Sequence, residues 1–248
     1  MKLSSIVWNF FYKLASPKYF YILSGKSLGL LKFLVFCLIT TGAICGLFFT
    51  PADYLQGDAF RIIYIHVPCA FLSLALYTFM GFLAIVLLVW RIKLAGILLT
   101  MTAQTGALIT FFALVTGSIW GKPMWGAWWV WDARLTSELV LLLFYLAIIA
   151  VKKAFVNKND GDKIVAVLTI IGLIDLPIVH FSVNWWNTLH QGSTIFVFSK
   201  PKIAMSMAYP LFIMIMGFGL YCAYVIILKT RNEILLRESR QSWVLEQL

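Results

Sequence analysis

Of the 248 residues, 62% are hydrophobic and 12% charged, well beyond the roughly 45–50% apolar content of soluble domains. A mean hydropathy of +0.91 excludes a soluble globular or disordered chain and implies an integral membrane protein. The formal charge of +10 follows from basic residues gathered on one side of the membrane against anionic lipid headgroups, so it calls for no nucleic-acid partner.

In chain order, residues 1–27 mix Trp, Phe and Tyr with Lys and read as a segment lying on the inner membrane surface. They lack the compact apolar core and small-residue cleavage site of a secretory signal. Uncharged runs long enough to cross a bilayer occupy 33–50, 67–90, 94–120 and 203–228. Two shorter runs complete the set. Residues 139–151 extend outward through Arg134–Glu138, with Lys152 and Lys153 snorkelling to the inner surface. Residues 164–174 continue past Asp175 to His180, with a bend expected at Pro177. The expectation is an all-α integral membrane protein with six transmembrane helices, a single polytopic domain over 1–248.

Orientation follows from the basic residues, which favour cytoplasmic loops. Lys2, Lys13, Lys18, Lys26 and Lys32 precede the first span, and Arg91 and Lys93 join the second to the third. Lys152, Lys153, Lys158 and Lys163 join the fourth to the fifth, and Lys229, Arg231, Arg237 and Arg240 lie in the tail, residues 229–248. These are fifteen of the twenty Lys and Arg, which makes both termini and the tail cytoplasmic. Cys37, Cys45, Cys69 and Cys222 fall within spans and form no CxxC pattern, so they read as small packing residues.

The inner connections are ordinary basic loops, whereas the outer ones carry unusual chemistry. Residues 120–138, beginning "WGKPMWGAWWVWDARLT", hold five of the ten tryptophans. If 125–138 is helical, Trp125, Trp128, Trp129 and Asp132 share one face, and Trp131, Arg134, Leu135 and Glu138 the next. Such a segment fits an interfacial anchor or a surface against a flat aromatic ligand; Trp120 opens it. The chain's only histidines, His66, His180 and His190, all fall on this outer side. His66 and His180 sit at helix ends among apolar residues, where a neutral imidazole tolerates burial and offers a metal ligand. A planar apolar molecule with a central metal would be gripped axially by two imidazoles and at its edge by indoles. His190 is an alternative to His180 that spacing does not decide. Arg134 can pair with a ligand carboxylate or with Asp132 or Glu138.

These segments, "WGKPMWGAWWVWDARLTSE" with "YIHVP" and "LPIVHFSVNWWNTLHQGST", resemble the CcmC family of the tryptophan-rich "WWD" haem-handling proteins of bacterial cytochrome c maturation. The resemblance implies non-covalent haem b at the periplasmic face of the bacterial inner membrane, with the Trp-rich loop against the porphyrin. Carried onto this chain, His66 and His180 are the axial iron ligands, and Trp120, Trp125, Trp128, Trp129, Trp131, Asp132 and Arg134 surround the macrocycle. It further implies a non-enzymatic protein that presents haem to the haem chaperone CcmE, in association with CcmD and the ATP-binding-cassette subunits CcmA and CcmB. The chain itself has no GxxxxGK[ST] nucleotide-binding loop. Two other readings are a transmembrane haem transporter, marked by Asp175 within a span, and a bis-histidine electron-transfer cytochrome.

Overall fold

The computed structural model describes residue 13 and residues 15–190 and 203–246. Residues 1–12 and 14 of the N-terminal segment, and 191–194 of the third outer segment, lie outside the described residues. Among the described residues every regular element is helical. Helix α1 (Pro17–Ile44) runs on through a π-helical turn (Cys45–Phe49), and a 3-10 turn (Asp58–Ile62) leads into α2 (Ile63–Trp90). There follow α3 (Lys93–Trp125), α4 (Ala133–Ala154), α5 (Lys158–Gly172), α6 (Asp175–Trp185), α7 (Met205–Arg237) and α8 (Ser242–Leu245).

Six helical stretches are long and apolar enough to cross a membrane, with α5 and α6 together making one of them. The chain is a multi-pass membrane protein. Four of the six stretches are 33 residues long, which at about 1.5 Å per residue is roughly 50 Å, more than the ~30 Å hydrocarbon core. The first and last therefore run beyond the apolar runs read from sequence. Residues 17–27 form the start of α1, and 229–237 form the end of α7. The two meet: Arg231 donates to the Tyr21 carbonyl and lies over the Tyr21 ring, and Trp243 packs against the same ring, tilted by 57° at 5.7 Å.

Helix α3 is the centre of the bundle, 67% of its most apolar window being buried, against 11% for α1. Leu23, Leu30, Phe33 and Phe36 of α1 remain exposed and form a lipid-facing surface. Around α3 the helices meet through glycines, as expected where small residues let membrane helices approach. A Cβ on Gly106 would lie 2.2 Å from the Tyr145 ring. That ring sits flush against α3 while its hydroxyl donates to the Ser73 carbonyl of α2 at 2.7 Å, so one tyrosine ties three helices together.

At the inner end, buried Asp162 accepts from both Lys152 and Arg237, and Arg237 also pairs with Glu233 at 2.8 Å. One carboxylate thereby fastens α5 to the ends of α4 and α7. The bend in the fifth span lies at Leu173–Ile174, before Pro177 rather than at it. The cause is still the proline: it has no N–H for the Leu173 carbonyl, which instead accepts from Leu176 in a tighter, three-residue step.

Two stability predictions follow from this packing. Gly106→Ala forces Tyr145 off α3 and is expected to cost about 1–3 kcal/mol, read as a lowered melting midpoint of the detergent-purified protein; an unchanged midpoint would contradict the close contact. Asp162→Ala leaves Lys152 without a carboxylate and Arg237 with Glu233 alone, and is expected to cost about 3–5 kcal/mol, whereas the same substitution at exposed Asp160 is expected to cost under about 0.5 kcal/mol.

Candidate functional site

The N-terminal ends of α2 and α4 and the C-terminal end of α3, with the loops that carry Gln56 and His190, enclose a cavity of about 780 Å³ counting its open mouth. Helix α2 contributes His66 and Ala70; α3 contributes Ala113, Leu114, Gly117, Trp120, Gly121, Met124 and Trp125; α4 contributes Arg134, Leu135 and Glu138. Gln56 and His190 close it from the loops. The wall is thus mainly apolar and aromatic with a few convergent polar groups, the composition of a ligand site.

His66 is fixed from behind. Its Nδ1 lies 3.1 Å from the Ala113 carbonyl and 3.2 Å from Thr116 Oγ1. A carbonyl only accepts, so Nδ1 carries the proton; Thr116 spends its own proton on the Phe112 carbonyl at 2.6 Å and likewise accepts. That tautomer leaves the lone pair on Nε2, the arrangement of a histidine poised to ligate a metal. Gly117 makes the close approach possible, because a Cβ there would stand 3.0 Å from His66 Cε1. Trp120 meets the imidazole edge-on at 5.6 Å, and its Nε1 donates to Gln56 Oε1 at 2.9 Å. The first outer loop is therefore tied to the cavity wall. Its base is held by Arg61, which donates to the carbonyls of Gly46 and Thr50 and to Thr50 Oγ1 at the end of α1.

Facing His66 is His190, with ring centroids 6.3 Å apart and planes tilted by 38°. The Trp125 ring stands 6.1 Å from His190. Thr188 shapes the turn that delivers this histidine, its Oγ1 accepting from the His190 N–H at 3.1 Å. His180 is not brought to the cavity. It is exposed on α6, edge-on to Phe181 at 4.7 Å, while its neighbours Val179 and Ser182 form the buried face.

The Trp-rich segment is not one helix. Helix α3 ends at Trp125, where Gly126 turns left-handed (φ +77°) and donates to the Lys122 carbonyl, a glycine C-cap. The chain then runs without regular structure to Asp132, whose Oδ1 accepts from the Leu135 N–H at 2.8 Å and caps α4. The expected shared face of Trp125, Trp128, Trp129 and Asp132 therefore does not exist. Trp120 and Trp125 line the cavity as part of α3. Trp128 and Trp131 are exposed by 58% and 78%, Lys122 lying over the first. Trp129 packs edge-on to Trp131 at 5.4 Å. Arg134 lines the cavity and donates to the Val179 carbonyl at 2.9 Å, and among the described residues it forms no ion pair with Asp132 or Glu138.

Several cavity residues, among them Gln56, Met124 and Glu138, are not in the set of site residues expected from the sequence. Gln56 and Met124 carry no local signal. Glu138 does carry one, standing four residues after Arg134 on the same helical face.

The family described as heme exporter protein C matches residues 10–245 of this chain. Heme exporter protein C of Haemophilus influenzae is 46% identical over 238 residues, covering 96% of this chain and 97% of the relative. Heme exporter protein C of Escherichia coli K12 is 46% identical over 240 residues, covering 97% of each. A putative cytochrome c biosynthesis ccmC-like mitochondrial protein of Marchantia polymorpha is 41% identical over 228 residues, covering 91% of this chain and 92% of the relative. The chain whose outer cavity pairs His66 with His190 belongs to the heme exporter protein C family.

Proposed function

We propose that this protein handles haem for cytochrome c biogenesis by holding it in the outer cavity and presenting it to a partner. The single observation that carries this reading is the pair of imidazoles across the cavity, His66 and His190, 6.3 Å between centroids. Two imidazole nitrogens bound to one iron at the ~2 Å of a metal–imidazole bond put ring centroids on the order of 6 Å apart. The axial pair in this reading is therefore His66 and His190, with His180 outside the ligand set.

The residues present fit haem b bound without a covalent link. Trp120 and Trp125 offer flat apolar surfaces, Met124 and Leu135 exclude water, and Arg134 stands ready to bind a propionate. When bound, haem supplies the iron centre that a c-type cytochrome requires. The chain's own task is to hold the His66 tautomer, orient the ring and keep the pocket dry. Nothing in this task calls for a catalysed reaction.

The excess of basic residues at the end opposite the cavity favours cytoplasmic termini and a periplasmic site in the bacterial inner membrane. Exposed Trp128 and Trp131 then form a rim from which the chaperone CcmE takes haem, and CcmD with CcmA and CcmB complete the assembly. An electron relay across the membrane is disfavoured, since three histidines clustered at one end leave no ligand pair for a second haem at the other.

Two measurements test the reading. His66→Ala and His190→Ala are each expected to lose the six-coordinate haem spectrum and more than about tenfold in haem affinity, while His180→Ala keeps both; a normal spectrum in His190→Ala with loss in His180→Ala would move the second ligand to α6. Trp128→Ala combined with Trp131→Ala is expected to retain bound haem yet slow its transfer to purified CcmE, and undiminished transfer would remove the rim from the mechanism.

A further inference from the structure

Resting on the haem reading, we infer that Glu138 makes the cavity selective for a porphyrin whose central metal carries positive charge, and that Glu138 and Arg134 together set which edge of the ring points outward. Glu138 is 7% exposed and lines the cavity. Its Oε1 is held by Ser73 Oγ at 2.7 Å, while Oε2 has no hydrogen bond and no Lys or Arg partner among the described residues. A carboxylate in such a wall is costly unless the occupant brings compensating charge. Ser73 is in turn fixed, since its carbonyl is the acceptor of Tyr145. The carboxylate is thus built in: Ser73 of α2 aims it, and Tyr145, two turns further along α4, holds Ser73 in place.

Arg134 stands four residues earlier on α4, about one turn or ~5.4 Å nearer the outer end. The wall therefore presents a cation at the start of α4 and an anion one turn further along it. Ferric protoporphyrin has the matching order: two carboxylates on one edge and a metal core of net charge +1. Seated with its propionates at Arg134, it brings that core toward Glu138. A ferrous or zinc porphyrin has a neutral core and gains nothing from the carboxylate. A unit charge about 10 Å away at an effective dielectric near 20 changes the preference on the order of tenfold.

The test uses two redox-inert probes, gallium(III) protoporphyrin with a +1 core and zinc(II) protoporphyrin with a neutral one, titrated into the full chain in detergent. Glu138→Gln is expected to bind the gallium probe about tenfold more weakly and the zinc probe within about twofold of the unsubstituted protein. Glu138→Leu, which replaces the buried charge by apolar volume, is expected to do the same and serves if the glutamine variant does not fold. Glu138→Asp is expected to keep the preference for gallium. Equal losses for both probes, or no loss for either, overturn the inference while leaving the haem reading intact. Failure of the unsubstituted protein to bind either probe overturns the haem reading itself, and this inference with it.

Discussion

The outer site depends on one hydrogen bond, from His66 Nδ1 to the Ala113 carbonyl. It decides the tautomer, and it decides the distance between α2 and α3, because the imidazole must reach the backbone of the neighbouring helix. Gly117 suits that requirement, since a Cβ there would crowd the ring at 3.0 Å from Cε1. Trp120, one turn further along, follows as well: it covers the imidazole edge and is itself tied to Gln56.

The two ends of the bundle use charge differently. At the inner end Asp162 meets Lys152 and Arg237, and its negative charge is spent on holding helices together. At the outer end Glu138 and Arg134 line one cavity without pairing to each other among the described residues. A buried ion pair is complete in itself, whereas two unpaired charges of opposite sign in one wall are complete only with an occupant.

Much of the fold was legible because six apolar runs can be counted; α4, for example, begins at Ala133 and ends at Ala154, close to the extent read from Arg134 to Lys153. The Trp-rich segment was misread for a definite reason. Tryptophans at 125, 128 and 129 carry helical spacing, but Gly126 and Asp132 are the stop and start signals of two different helices. A glycine inside an apparently helical pattern and an aspartate seven residues after an indole were given less weight than periodicity. The two signals together define a linker, and a linker is what leaves Trp128 and Trp131 exposed instead of packed.

The second histidine shows where sequence reasoning stops and where it had further to go. Along α6, Asp175, Val179 and Ser182 are the buried residues, spaced four and three apart. His180 is one step from Val179, about 100° around the helix, and so belongs to the outward side. That much the apolar period alone could have said, with Ser182 as its less obvious third member. The position of His190 is different in kind. It lies five residues beyond the end of α6, reached through a turn held by Thr188, and its approach to His66 joins residues 124 apart in the chain. No local pattern encodes such a meeting; it exists because α2 and the third outer loop are both packed against the end of α3, where Trp120 touches one imidazole and Trp125 the other. The tryptophans of α3 thus stand beside both rings, Trp120 at His66 and Trp125 at His190, which gives the indoles at 120 and 125 a place inside the helix rather than in the loop that follows it.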